Sequence, residues 1–194
     1  MSEISDVEAT EEQPEKDPVE EMDNPRSLYL MRHADSETVE DIDQDIHRSL
    51  TEEGKINASE MGKRLKERGV KPNLIYTSPA KRAKQTAEII AKELGYAKSR
   101  IREHTLIYEA TSRILLEVIN SVEEEPENFM VIGHNPAVSR IVKHLTNEES
   151  IENIPPTGVV SITFDITRWS HVSMGNGHYD WYDSPQNAIQ SNLK

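Results

Sequence analysis

Four residues carry chemistry by type and spacing. Arg32 and His33 close the apolar run LYLM, Arg82 lies just beyond the run NLIYTS, and His134 closes the run FMVIG. An arginine fork matches the oxygens of a phosphate and keeps its charge at any working pH. A histidine set among arginines has its pKa pushed down, so near neutrality it retains a lone pair. A neutral imidazole can attack phosphorus and hold the phosphoryl group as phosphohistidine. A second histidine can donate to the non-bridging oxygens. Positioning and charge stabilisation are most of what phosphoryl transfer needs. With arginines neutralising the phosphate, neither a metal nor another cofactor is required. Taken singly, His33 reads as a strand-end histidine and Arg32 as a surface cation; the chemical reading comes from the set.

The set needs elements to assemble it. Residues 27–31, 73–78, 129–134, 159–166 and 178–183 read as strands, and RIREHTLIY (100–108) as a further one. Between them run helical patterns. Thr51 can cap a helix carrying Glu52 and Glu53 at its positive end and Ala58, Met61 and Leu65 along one face, with Gly69 as its stop. Ser78 and Pro79 read as cap and first turn of a second helix, lined by Ala83, Ala87, Ile90, Ala91 and Leu94 and ended by Gly95. Ile114, Leu115, Val118, Ile119 and Val122 mark a third, and Asn135 and Pro136 open a fourth with Val138, Ile141, Val142 and Leu145. This alternation predicts a three-layer α/β/α sandwich with a mainly parallel central sheet. Arg32–His33, Thr77–Ser78 with Arg82, and Gly133–His134 all fall at carboxyl ends of strands, where open α/β sheets bind ligands. Parallel neighbouring strands would bring both histidines and both arginines into one pocket, near two helix N-termini that favour an anion.

Charge and composition narrow the classes. The formal net charge is −13, yet residues 1–25 hold ten acids against the single base Lys16, leaving about −4 for residues 26–194. That acidic lead has Pro14, Pro18 and Pro25 and few large apolar residues, so it is expected to be disordered, with the ordered domain spanning 26–194. Acidity argues against nucleic acid as partner. There is no cysteine, which excludes disulfides and thiolate metal sites and suits a reducing compartment. No apolar run of about 18 residues is present, so no membrane association is expected and the cytoplasm is the expected location. His47, His104, His144, His171 and His178 show no metal-ligand spacing, and no glycine-rich phosphate loop occurs.

The blocks LMRHADSE, TSPAKRAKQTAEII and VIGHNP, in this order, resemble the signatures of the histidine phosphatase superfamily, the phosphoglycerate mutase-like fold. The resemblance covers most of residues 26–183. It implies that Arg32 and Arg82 bind phosphate, that His33 is the nucleophile, and that His134 completes the phosphate pocket; Ser36 joins the substrate-binding set. RHADSE and HNP depart from the acid phosphatase branch, whose pattern is R-H-G-x-R-x-P with a later His-Asp. The short chain, HRSLTEEGKINA and LIYEA look most like the SixA-type phosphohistidine phosphatases. Arg48, in the Arg-Ser-Leu-Thr stretch, then lies either at the pocket rim or in solvent. The superfamily's usual glycine after the histidine is Ala34 here, which disfavours a positive φ at that turn. Glu109 stands where many members carry the acid that protonates the leaving group. An ester oxygen leaves poorly without a proton, whereas an imidazole leaves readily. An active Glu109 therefore implies a phosphoester substrate, and an idle one implies phosphohistidine on a protein. A phosphate-binding module without turnover is the non-enzymatic alternative.

Overall fold

The computed structural model describes residues 25–38 and 42–187. Six strands form one sheet: β1 (Arg26–Arg32), β2 (Leu74–Thr77), β3 (Arg102–Glu103), β4 (Asn128–Gly133), β5 (Val159–Phe164) and β6 (His178–Asp183). The spatial order is β3-β2-β4-β1-β5-β6. β3, β2, β4 and β1 run parallel, while β5 lies antiparallel to β1 and β6 antiparallel to β5. Four helices, α1 (Glu52–Glu67), α2 (Lys81–Leu94), α3 (Ser112–Asn120) and α4 (Ala137–Thr146), cover the two faces.

β1 and β4 are apolar without alternation because both of their faces are covered. Leu28 and Leu30 of β1 pack with Phe129 and Val131 of β4 against α3 and α4. Tyr29 and Met31 point the other way, with Met130 and Ile132, against Met61 and Leu65 of α1 and Ala83, Ala87 and Ile90 of α2. Trp169 is fully buried at the bottom of the first layer, edge-on to Phe129 and Phe164, and its indole N–H donates to the Pro126 carbonyl at 2.7 Å. Among the described residues no helix is long and apolar enough to cross a membrane.

Two expected elements differ. Residues 100–108 contribute only Arg102–Glu103 to the sheet, flanked by single 3-10 turns at Lys98–Arg100 and Thr105–Ile107. β3 is an edge strand with both side chains exposed, and the chain then turns so that Ile107 enters the core. Ser78 does not cap α2: Ala80 is the N-cap, and Ser78 Oγ instead accepts from the Ala80 N–H at 3.2 Å. Thr51 does cap α1, its hydroxyl accepting from Gly54 N at 2.9 Å. Asn135 keeps a capping role one residue before Pro136, its Oδ1 accepting from the N–H (3.3 Å) and hydroxyl (2.9 Å) of Ser139. β1 begins at Arg26, one residue before the expected strand; the acidic lead expected to be disordered lies almost wholly outside the described residues.

Candidate functional site

Sheet register gathers the site. Arg32 pairs with Gly133, and Thr77 with Ile132, so β1, β4 and β2 end level and side by side. The next residues are held by the ladder itself: His33 N–H donates to the Gly133 carbonyl at 3.0 Å, and Ser78 N–H to that of Ile132 at 3.1 Å. Gly133 matters here for close approach, since a Cβ would meet Ile107 and Val138 at 3.2 Å. The turn after His33 is clamped from three sides. Ala34 N–H donates to Thr86 Oγ1 on α2 (3.0 Å), and Thr51 N–H to the Asp35 carbonyl (3.0 Å). Thr157 N–H reaches the carbonyls of both Arg32 and His33 at 3.2 Å. Thr157 does so with φ 67°, a left-handed conformation strained for a β-branched residue. Ala34 is fully buried and is not among the described residues with positive φ, so the alanine fits this turn as it stands.

The two histidine rings lie 4.9 Å apart between centroids. Arg82 reaches both: its Nε donates to His33 Nε2 at 3.2 Å and its NH2 to His134 Nδ1 at 3.4 Å. A guanidinium only donates, so these two ring nitrogens are acceptors. The other nitrogen of each ring then carries the proton. His33 Nδ1 donates to the Ala34 carbonyl at 2.7 Å, and His134 Nε2 to Ser78 Oγ at 2.8 Å. His33 is thereby fixed in the tautomer that turns the Nε2 lone pair toward Arg82.

Electrostatics keeps both rings neutral. Burial, reinforced by the cations of Arg82, Arg32 and Arg48, lowers the His33 pKa from 6.5 to about 4. Burial, then His33 and Arg82, lowers that of His134 to about 3. Arg32 is half-buried; its NH1 donates to the Ile154 carbonyl at 2.9 Å, and its Nε is buried with no hydrogen-bond partner. Burial lowers its pKa, against the opposing pull of Asp35.

Arg48 stands at the rim rather than in open solvent. Its NH2 donates to Ser36 Oγ at 2.9 Å and its NH1 to Asp45 Oδ1 at 2.9 Å. Glu109 is exposed, and among the described residues it makes no hydrogen bond or ion pair. The site also holds two residues that sequence reasoning passed over. Asp45, on the two-turn 3-10 helix Ile42–His47, accepts from Arg82 NH2 on Oδ2 at 2.9 Å, and its backbone carbonyl accepts from Arg82 NH1 at 2.6 Å. Tyr108 donates its hydroxyl to the same Oδ2 at 2.9 Å. Burial raises the Asp45 pKa, but the hydrogen bonds from Arg48, Tyr108 and Arg82 outweigh it and set it to about 2. The one available signal was the spacing of Asp45 three residues before Arg48, which suits an ion pair on a helical turn.

Known proteins resemble the chain in sequence and in fold. The histidine phosphatase superfamily (branch 1) matches residues 28–111. The mitochondrial serine/threonine-protein phosphatase Pgam5 of Drosophila persimilis is 37% identical over 84 residues, 43% of this chain and 28% of that protein. The chain thus spans little more than a quarter of that relative's length. Among solved structures, the protein histidine phosphatase SixA complexed with tungstate superposes with TM-score 0.70 at 26% identity, covering 84% of this chain and 99% of that one. SixA from Agrobacterium tumefaciens superposes with TM-score 0.71 at 22% identity over the same shares. Residues 28–111 thus match the histidine phosphatase superfamily, and the fold of the chain is SixA-like.

Proposed function

We propose that this chain is a metal-independent phosphatase that works through a phosphorylated His33, and that its substrate is phosphohistidine on a protein. The observation carrying this reading is His33 itself: a neutral imidazole whose Nε2 lone pair faces the Arg82 guanidinium beside a second neutral histidine. In the first step Nε2 attacks phosphorus, the bond to the leaving atom breaks, and the leaving group departs with the electron pair. In the second, water attacks the phosphohistidine, the P–N bond breaks, and the pair returns to Nε2 with release of inorganic phosphate. Arg32 and Arg82 bind the non-bridging oxygens, His134 completes the pocket, and Arg48 and Ser36 hold its rim. The catalytic unit is the domain from residue 26 onward.

The leaving group decides the substrate. A phosphoester needs a proton donor near neutrality. Glu109 is exposed and unengaged, and Asp45, held at a pKa of about 2, is ionised there. Phosphohistidine needs no such donor, because its leaving imidazole can already carry a proton on the other ring nitrogen. The SixA structures, one named a protein histidine phosphatase and holding tungstate, support the same choice. The Drosophila relatives are named serine/threonine-protein phosphatases, which favours a phosphoester on a protein as the second reading. They are also named mitochondrial; the cytoplasm is the location we propose for this chain.

The test compares wild type, His33→Ala and Glu109→Gln on a phosphohistidine protein, phosphoserine and phosphothreonine peptides and an aryl phosphate, all with EDTA present. Turnover of phosphohistidine that needs His33 and ignores Glu109→Gln is the expected result. Equal rates for wild type and His33→Ala defeat the nucleophile. A small ester hydrolysed orders of magnitude faster, and lost in Glu109→Gln, defeats the phosphohistidine reading.

A further inference from the structure

Arg82 has five N–H donors, and four are engaged within the protein. Nε faces His33, NH1 the Asp45 carbonyl, and NH2 both Asp45 Oδ2 and His134 Nδ1. Two parallel N–H groups are what a phosphate takes from an arginine. The NH1–NH2 pair on this guanidinium is held at both ends by Asp45, while the Nε–NH2 pair faces the two histidine rings. The carboxylate is itself fully dressed, with Arg48 on Oδ1 and Arg82 and Tyr108 on Oδ2. It is an anion seated among the donors that a phosphoryl group would use, and it lies on a short 3-10 helix with about a quarter of its side chain accessible. It can therefore swing outward without disturbing the packed layers.

We propose that Asp45 is the internal anion of the phosphate pocket, giving up the Arg82 fork when a phosphoryl group enters and retaking it as inorganic phosphate leaves. This rests on the phosphate-site reading above. Asp45 selects by competition. A bound phosphoryl group must offer more than one carboxylate does, which a substrate gains from its protein contacts and free phosphate lacks. The product of hydrolysis is then the species most readily expelled. The opposite role is a carboxylate that merely orders Arg82 and Arg48 for phosphate, and the two roles differ in sign. If Asp45 competes, removing its charge tightens phosphate binding; if it orders, removal weakens it. Tyr108 gives an independent handle, because its hydroxyl holds Asp45 in place.

The experiment titrates inorganic phosphate into wild type, Asp45→Asn and Tyr108→Phe at neutral pH, following the ring-proton NMR signals of His33 and His134, which also report whether each variant is folded. Asp45→Asn is expected to bind phosphate on the order of 10-fold more tightly, the scale of one charge-assisted hydrogen bond. Tyr108→Phe is expected to bind it more tightly by a few-fold. Binding by Asp45→Asn that is equal to or weaker than wild type overturns the proposal while leaving the phosphate site intact. Histidine signals that respond to phosphate in none of the proteins overturn the site reading as well, so the two failures are distinguishable. If Asp45→Asn fails to fold, Tyr108→Phe decides: weaker or unchanged binding overturns the proposal.

Discussion

Replacing His33 by glutamine should flatten the acid side of the stability curve. The folded-state pKa of His33 is about 4 and its ordinary value 6.5. The unfolded chain therefore binds a proton in that window and the folded chain does not, so acid favours unfolding. The contribution is fully present above pH 6.5 and is lost as pH falls toward 4. Its slope is at most about 1.4 kcal/mol per pH unit, and the whole shift amounts to roughly 3 kcal/mol. Against a typical domain stability of about 5–15 kcal/mol this is large. Glutamine keeps a polar, planar side chain and removes the titration. Urea unfolding followed by tryptophan fluorescence, in steps between about pH 6 and about pH 5, gives both slopes. The variant's stability should fall by about 1.1 kcal/mol less per pH unit than that of wild type over this window. Packing lost with the imidazole shifts the curve vertically but does not change its slope, so the comparison isolates the proton. Equal slopes would refute a His33 held neutral by its surroundings.

The same depression sets activity. Under the proposed function the nucleophile is the neutral ring, so turnover is expected to fall as pH drops through the folded value. At about pH 5, a group of pKa about 4 is roughly 90% neutral, whereas one at the ordinary 6.5 would be roughly 3% neutral. NMR titration of His33 reads this directly, apart from the ionisation of any substrate. A midpoint near 6.5 would contradict the pocket described above.

Two further substitutions probe the scaffold. Trp169→Ala removes a fully buried ring wedged between Phe129 and Phe164 and should cost about 3–5 kcal/mol; a loss under about 1 kcal/mol in urea unfolding would show that this end of the core is not packed as described. Thr157→Gly relieves a β-branched residue at φ 67° and deletes a buried hydroxyl with no partner. It should raise stability by about 1 kcal/mol, outweighing the lost methyl and the added freedom of the unfolded chain. A lowered unfolding midpoint would disprove strain at Thr157.

How much was legible follows from what sequence patterns encode. β1 and β4 are apolar on both faces, so LYLM and FMVI announced buried parallel strands, and α1 and α2 showed their core faces by helical spacing. The misread stretch was RIREHTLIY. Its Arg102 and Glu103 form the whole strand, and Ile107 turns into the core rather than continuing the alternation. Edge pairing of two exposed residues leaves no periodic trace. Ser78 was misread for a related reason: a serine before proline has cap chemistry, but here the hydroxyl serves His134 and Ala80.

The positions of His33, Arg82 and His134 could be read because strand ends are simple to locate and parallel register then brings them together. Asp45 and Tyr108 could not, since a short 3-10 helix and the residue after a single 3-10 turn have too little period to betray where they point. The unread residues also shape what the readable ones do. His33 and His134 owe their depressed pKa values first to burial and then to neighbouring charge. Asp45 offsets part of that charge at His134 and at the same time occupies the arginine that both rings touch. Two neutral histidines beside an arginine weaken the fold in acid, yet that arrangement is what leaves a lone pair on His33 at neutral pH. The pocket's chemistry and its acid sensitivity thus have one physical cause.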